Sequence, residues 1–246
     1  MEIDRLFFII TRKLIMELSI NYKNIIATFL VSILLISCSK DKDPVLIDVS
    51  GLSIVNASPS AEKLDVYVDN TKVTNDATDF IFGGKIDYLS AYSGSRKMTI
   101  TRKGSDVPLR SELFVLEPQF GYTLFIIDKF ADIKFMLLPD NLTKPPKGKA
   151  SVRFANLSPD SGPLTLAVAG SNYLITNVAF KNHSTQIFVD VGDKVNFEVR
   201  EHSTGTLVAT LPDVKIEEDK IYTIYVKGLK AATDATKLGV AIYTHK

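Results

Sequence analysis

The chain of 246 residues contains no tryptophan, a single cysteine and three histidines. Without an indole ring, any face that stacks on a sugar has to be built from tyrosine and phenylalanine. One cysteine, Cys38, cannot form an internal disulfide, so stability has to come from packing. His183, His202 and His245 are scattered, with no HxH or HExxH spacing and no cysteine partner, which argues against a zinc site. His202 is expected in a solvated hairpin loop. There is no G-x-S-x-G elbow and no phosphate-cradling glycine loop. The chain therefore reads as non-enzymatic, with no cofactor. A charge excess is missing too: 29 basic side chains face 28 acidic ones. That balance argues against nucleic acid as a partner. The apolar run Ile25 to Ile36 holds only 12 residues, short of the ~20 that cross a hydrocarbon core.

The flanks of that run carry a strong signal. Leu35-Ile36-Ser37-Cys38 leads directly into Ser39-Lys40-Asp41-Lys42-Asp43, with Lys23 ahead of the run as the positive flank. The arrangement resembles a bacterial lipoprotein signal peptide, whose cysteine becomes the lipidated first residue of the mature chain. Residues 1–37 are expected to be the leader. Met1 to Ile15 carries Glu2 and Asp4 and fits a signal poorly, so initiation is expected at Met16. The resemblance implies several acyl chains on Cys38, enough for stable anchoring where one chain holds only marginally. Ser39 rather than Asp after the cysteine implies sorting to the outer membrane. The Lys40-Asp41-Lys42-Asp43 patch resembles surface-export signals, which would place the protein on the cell surface.

The rest of the chain is a tandem duplication. Leu52-Ser53-Ile54-Val55-Asn56-Ala57-Ser58-Pro59 lies over Val152-Arg153-Phe154-Ala155-Asn156-Leu157-Ser158-Pro159 at an offset of 100. The register holds through Leu64–Val68 against Leu164–Val168, and Glu117…Tyr122-Thr123 against Glu217…Tyr222-Thr223. Arg102-Lys103-Gly104-Ser105 matches Arg200-Glu201-His202-Ser203 at 98, which places small indels in the loops. Within each copy the pattern has period two: Leu64, Val66 and Val68 alternate with Asp65 and Tyr67, as half-buried strands require. Tyr122–Ile127 and Ile221–Val226 are apolar on both faces, as central strands are. No helical stripe is present. The expectation is an all-β chain of two antiparallel β-sandwich repeats, with a tether at 38–50, repeat 1 at 51–139, a linker at 140–149 containing Pro145-Pro146, and repeat 2 at 150–246.

Asn-x-Ser-Pro opens each copy, where Asn and Ser can bond nearby backbone and Pro sets the turn. The stretch Asn56-Ala57-Ser58-Pro59 through Leu64-Asp65-Val66-Tyr67-Val68-Asp69 resembles domain-of-unknown-function family 4397. Ser60 stands where that family usually has Asp, and Asn70 where it often has Gly. The second copy keeps Asp160 but lacks the Asp-Val-Tyr-Val-Asp run. The resemblance implies transthyretin- or immunoglobulin-like tandem β domains and brings no activity with it. Function is then expected to be a non-catalytic binding or adhesion module held to the membrane through Cys38, with a glycan or protein partner. The alternative is a structural or assembly subunit that engages partners by its strand edges. By alternation, Tyr67, Tyr92, Phe125 and Tyr225 are candidates for a surface binding patch; the competing role for these aromatics is to cover a second sheet face or an inter-domain contact.

Overall fold

The computed structural model describes residues 48–245, together with Arg12 and Met16. Cys38, the leader and most of the tether lie outside the described residues. The first repeat contains β1 (Val49–Asn56), β2 (Leu64–Val68), β3 (Thr71–Lys72), β4 (Lys85–Tyr92), β5 (Gly94–Arg102), β6 (Pro108–Leu116), β7 (Gly121–Ile127) and β8 (Lys134–Asp140). The second contains β9 (Lys149–Asn156), β10 (Leu164–Val168), β11 (Tyr173–Val178), β12 (Asn182–His183), β13 (Ile187–Asp190), β14 (Gly192–Glu201), β15 (Leu207–Ile216), β16 (Ile221–Lys227) and β17 (Gly239–Thr244). The all-β expectation holds, with more short strands per repeat than the turn spacing suggests.

Each repeat is a two-layer sandwich. In the first, the sheet β4-β1-β7-β8 packs on β3-β2-β5-β6; in the second, β12-β9-β16-β17, with β13 also beside β9, packs on β11-β10-β14-β15. Leu52, Ile54, Tyr122, Leu124 and Ile126 from one layer meet Leu64, Val66, Met98 and Ile100 from the other in the first core. Val152, Phe154, Tyr222, Ile224 and Val226 meet Leu164, Leu166, Phe197 and Val199 in the second. β1 and β7 run parallel, as do β9 and β16, with Leu52 beside Tyr122 and Val152 beside Tyr222. The offset of 100 is thus kept in the strand pairing itself. On the hairpin strand it becomes 99: Arg102 lies opposite Leu64, whereas Glu201, not Arg200, lies opposite Leu164.

The Asn-x-Ser-Pro corners are structural. Asn56 Oδ1 accepts the Ser58 N–H at 3.2 Å and Asn156 Oδ1 accepts that of Ser158 at 3.1 Å. All four side chains are buried. Asp160 accepts the backbone N–H groups of Lys230 and Ala231, tying the corner to the loop after β16. Ser60 replaces it in the first copy, where Ser58 Oγ donates instead to the Asp128 carbonyl at 2.8 Å. Both repeats also carry a tyrosine corner: the Tyr122 hydroxyl accepts the Glu117 N–H at 3.0 Å, and the Tyr222 hydroxyl accepts that of Glu217 at 3.1 Å. This geometry accounts for the recurrence of the tyrosine; its partner is a main-chain N–H, so the glutamate is not selected by it. Tyr122→Phe and Tyr222→Phe are each expected to cost about 1 kcal/mol in urea unfolding, the net worth of one buried hydrogen bond.

The two sandwiches are not beads on a spacer. Residues 48–245 belong to one compact unit, because β7 and β16 are buried on both faces. Phe125 and Tyr225 point away from their own cores, and their rings meet at 5.6 Å between centroids. Val55, Ala57, Ile127 and Leu138 of repeat 1 join Ala155, Leu157 and Tyr243 of repeat 2 in a third apolar cluster. The layers therefore stack four deep, with the two inner sheets facing each other. Residues at equivalent places in the two copies touch, which is the mark of an isologous interface, here fused into one chain. The boundaries expected from sequence shift accordingly. Val49 and Ser50 belong to β1 rather than the tether, Asp140 ends β8, and Lys149 opens β9.

Candidate functional site

Two groups of polar side chains stand out, one between the repeats and one on an outer face. The inner one is centred on Asp140. Its carboxylate accepts from Arg153 Nη2 at 2.7 Å, from the Thr123 hydroxyl at 2.7 Å and from the Tyr88 hydroxyl at 2.5 Å. His245 Nδ1 lies 2.9 Å from the Tyr88 oxygen, and its Nε2 is 2.7 Å from Thr223 Oγ1. Arg153 also donates to Thr223 Oγ1 and to the Pro139 carbonyl. Burial alone would raise the Asp140 carboxyl; His245, Arg153 and Tyr88 outweigh it and hold it below the usual carboxylate range. The Tyr88 hydroxyl is pushed well above the usual phenol value, first by burial and then by Asp140. Among the described residues, every buried polar side-chain atom of this cluster has a partner. Joining β8 of one repeat to β9 and the chain end of the other, the cluster acts as a lock between the repeats.

The outer face of β3-β2-β5-β6 is different. Strand alternation places Tyr67, Thr99 and Ser111 in one row across β2, β5 and β6. The Thr99 and Ser111 hydroxyls bond each other at 2.8 Å. Lys97 lies one step along β5, opposite Leu113, and Thr101 one step the other way, opposite Pro108. A hollow of about 250 Å³ lies over this face, walled by Asp69, Asn70 and Asp106 and floored by Tyr67, Lys97, Thr99, Thr101 and Ser111. The walls are pinned from below. Asp69, with a left-handed φ of 54°, accepts the Lys97 N–H at 2.9 Å and Arg96 Nη1 at 3.0 Å. Buried Asp65 accepts the Gly104 N–H at 2.8 Å, Thr74 Oγ1 at 3.0 Å and Lys72 Nζ at 3.0 Å. Burial would raise the Asp65 carboxyl, but Gly104, Lys72 and Thr74 together bring it below the ordinary range. One aromatic ring among donors and acceptors of both signs suits a polyhydroxylated ligand with an apolar ring face. Nothing in it pairs a nucleophile with a base.

The second repeat does not repeat this set of residues. Ala167 takes the place of Tyr67, and on the neighbouring strand Arg200 Nε and Nη2 both donate to Glu198 Oε2, at 3.0 and 2.7 Å. Tyr173 supplies an aromatic from the adjacent β11, opposite Ala167, and its hydroxyl lies over Gly205. Its sequence context, between turn residues Gly170-Ser171-Asn172 and a short strand, gives no sign of this.

The four residues expected to form a surface patch do not come together. Tyr67 is half-buried in the hollow, and Tyr92 is 64% exposed at the end of β4 on a different sheet. Phe125 and Tyr225 are 0% and 4% exposed and fill the contact between the repeats. These two are corrected from surface to interior: the outward face of a central strand became a shared core. His202 is exposed in its hairpin, as expected for a solvated turn residue. Among the described residues, no group of His, Cys, Asp and Glu side chains could hold a metal ion.

Residues 50–167 match a family described as a domain of unknown function, DUF4397. No curated protein matches the chain. Among solved structures, the C-terminal domain of AlgF from P. aeruginosa is 26% identical, with 40% of this chain and 99% of that one covered and a TM-score of 0.30. The CBM26 module of Eubacterium rectale Amy13K, determined with maltoheptaose, is 10% identical, covering 78% and 96%, with a TM-score of 0.26. A candidate cell adhesion protein from Bacteroides uniformis is 10% identical, covering 81% and 100%, with a TM-score of 0.25.

Proposed function

We propose that this chain, whose residues 50–167 match DUF4397, is a lipid-anchored, non-catalytic binding protein of the bacterial outer membrane that takes a glycan on the outer face of its first repeat. The observation that carries the reading is the hollow around Tyr67. A sugar ring laid on the tyrosine would bring its hydroxyls to Lys97, Thr99, Ser111, Asn70 and Asp106. The anchor at Cys38 rests on the lipobox-like sequence, and the acidic and basic tether beyond it would hold the binding face away from the lipid.

The test is a glycan array probed with the intact protein, then titration of each hit. Tyr67→Ala is expected to weaken binding by about tenfold or more, as removal of a central aromatic anchor does. Tyr92→Ala, outside the hollow, leaves the affinity unchanged, and the bound glycan is recovered uncleaved. Equal loss from both substitutions, or cleavage of the glycan, would contradict the reading.

A further inference from the structure

We infer that the edge strand β6 is a self-association surface, which pairs antiparallel with β6 of a second copy of this chain about a two-fold axis at Ser111. The inference rests on a contrast between the two repeats and on the sequence of the strand, and it is independent of the glycan reading.

β6 and β15 are equivalent edges, each the last strand of its outer sheet. An open edge is a template for another strand, and proteins blunt it with proline, bulges and twist. β15 carries these defences. Pro212 sits in its middle, three irregularities interrupt its register with β14, and Asp213 has a left-handed φ of 53° with its N–H turned to Asn196 Oδ1. β6 is less defended, because its two charges, Arg110 and Glu112, are of opposite sign and can complement those of an antiparallel copy. Its proline is the first residue, Pro108, where no ladder bond is lost. Its register with β5 runs unbroken from Leu116 to Arg110, and its only irregularity lies beyond that. Among the described residues no strand pairs with its other side. Leu113 and Val115 project from it, 67% and 69% exposed.

The strand's own sequence names the occupant. In Val107-Pro108-Leu109-Arg110-Ser111-Glu112-Leu113-Phe114-Val115, opposite charges flank Ser111 and aliphatic residues recur at the mirrored places 109/113 and 107/115, while Pro108 mirrors Phe114. Set antiparallel to itself about Ser111, Arg110 of each copy falls opposite Glu112 of the other. Leu113 of each copy comes alongside Leu109, the residue that bulges from the register with β5, and Val115 alongside Val107, just ahead of the strand. Directly opposed unlike charges and aliphatic pairs both stabilise a ladder. Within one chain Arg110 Nη2 already pairs with Glu112 Oε2 at 2.7 Å, with 44% and 36% of the two side chains exposed, so both remain open to an incoming strand. The contact is self-complementary and closes on two copies. It would join two outer sheets into one and set the two Tyr67 hollows on a single continuous face.

The experiment is sedimentation equilibrium of the full chain in detergent over a range of concentrations. The wild type is expected to dimerise. Arg110→Glu and Glu112→Arg each oppose like charges at both mirrored positions and are expected to weaken the dimer about tenfold or more. The double variant Arg110→Glu/Glu112→Arg restores opposition of unlike charges and recovers the dimer, a result that damage to the fold would not give. Ser111→Cys, in a Cys38→Ala background, should cross-link two copies on oxidation, since the axis brings position 111 against itself. A protein that stays monomeric throughout, or a dimer indifferent to both single reversals, overturns the inference.

Discussion

Replacing Asp140 by alanine is expected to destabilise the protein by about 3–5 kcal/mol, the cost of stranding a buried charge. The charge left behind is Arg153, whose side chain is 4% exposed and reaches Asp140 at 2.7 Å across the junction of the repeats. Tyr88 and Thr123 would lose their shared acceptor in the same step. Arg153→Ala should cost a similar amount from the other side. The double variant Asp140→Ala/Arg153→Ala should fall well short of the sum, because no uncompensated charge remains. Urea midpoints for the four proteins decide it; full additivity would mean the pair does not act as a lock. The same carboxylate sets an acid limit. Its pKa is depressed in the folded state, as are those of Asp65 and Asp128. Their contribution is present above the unfolded value of about 4 and lost as pH falls through the lower folded values. Stability should therefore fall below about pH 4, and less steeply in Asp140→Asn than in the wild type.

Phe125→Ala should cost a comparable amount, about 3–5 kcal/mol for a fully buried phenylalanine. The ring is 0% exposed, and it fills the space between repeats rather than the core of its own sandwich. Deleting it leaves a cavity against Tyr225, which cannot collapse without moving one inner sheet relative to the other. We therefore expect the wild type to unfold in a single transition, and Phe125→Ala to lose the coupling, with the two repeats melting apart. A loss under about 1 kcal/mol would contradict the four-layer core, since surface changes fall in that range.

How far the sequence reveals all this depends on where each signal lies. β1, β2 and β7 repeat at an offset of 100 because buried positions on paired strands tolerate no slip. The hairpin at Arg102 and Arg200 misleads for the opposite reason. Solvated charges change freely, so matching the arginines gives 98, while buried Met98 against Phe197 and Ile100 against Val199 give the observed 99. Tyr67 is legible as outward-facing from simple alternation, but the hollow around it is not. Its walls come from two turns far apart in the chain, Asp69-Asn70 after β2 and Asp106 before β6. Asp140 reads as linker, a polar residue shortly before Pro145-Pro146. Its partners Arg153 and His245 lie in the other repeat, which no local pattern announces. Phe125 and Tyr225 look alike from sequence whether they face water, a partner or each other.

The most direct measurement is to track backbone amide shifts of the ¹⁵N-labelled protein while titrating in the strongest glycan found on the array. The account predicts that Tyr67, Lys97, Thr99 and Ser111 shift together and saturably, and that the shifts vanish in Tyr67→Ala. Shifts centred on repeat 2 or on the seam around Tyr88 and His245, with the Tyr67 face unmoved, would contradict it.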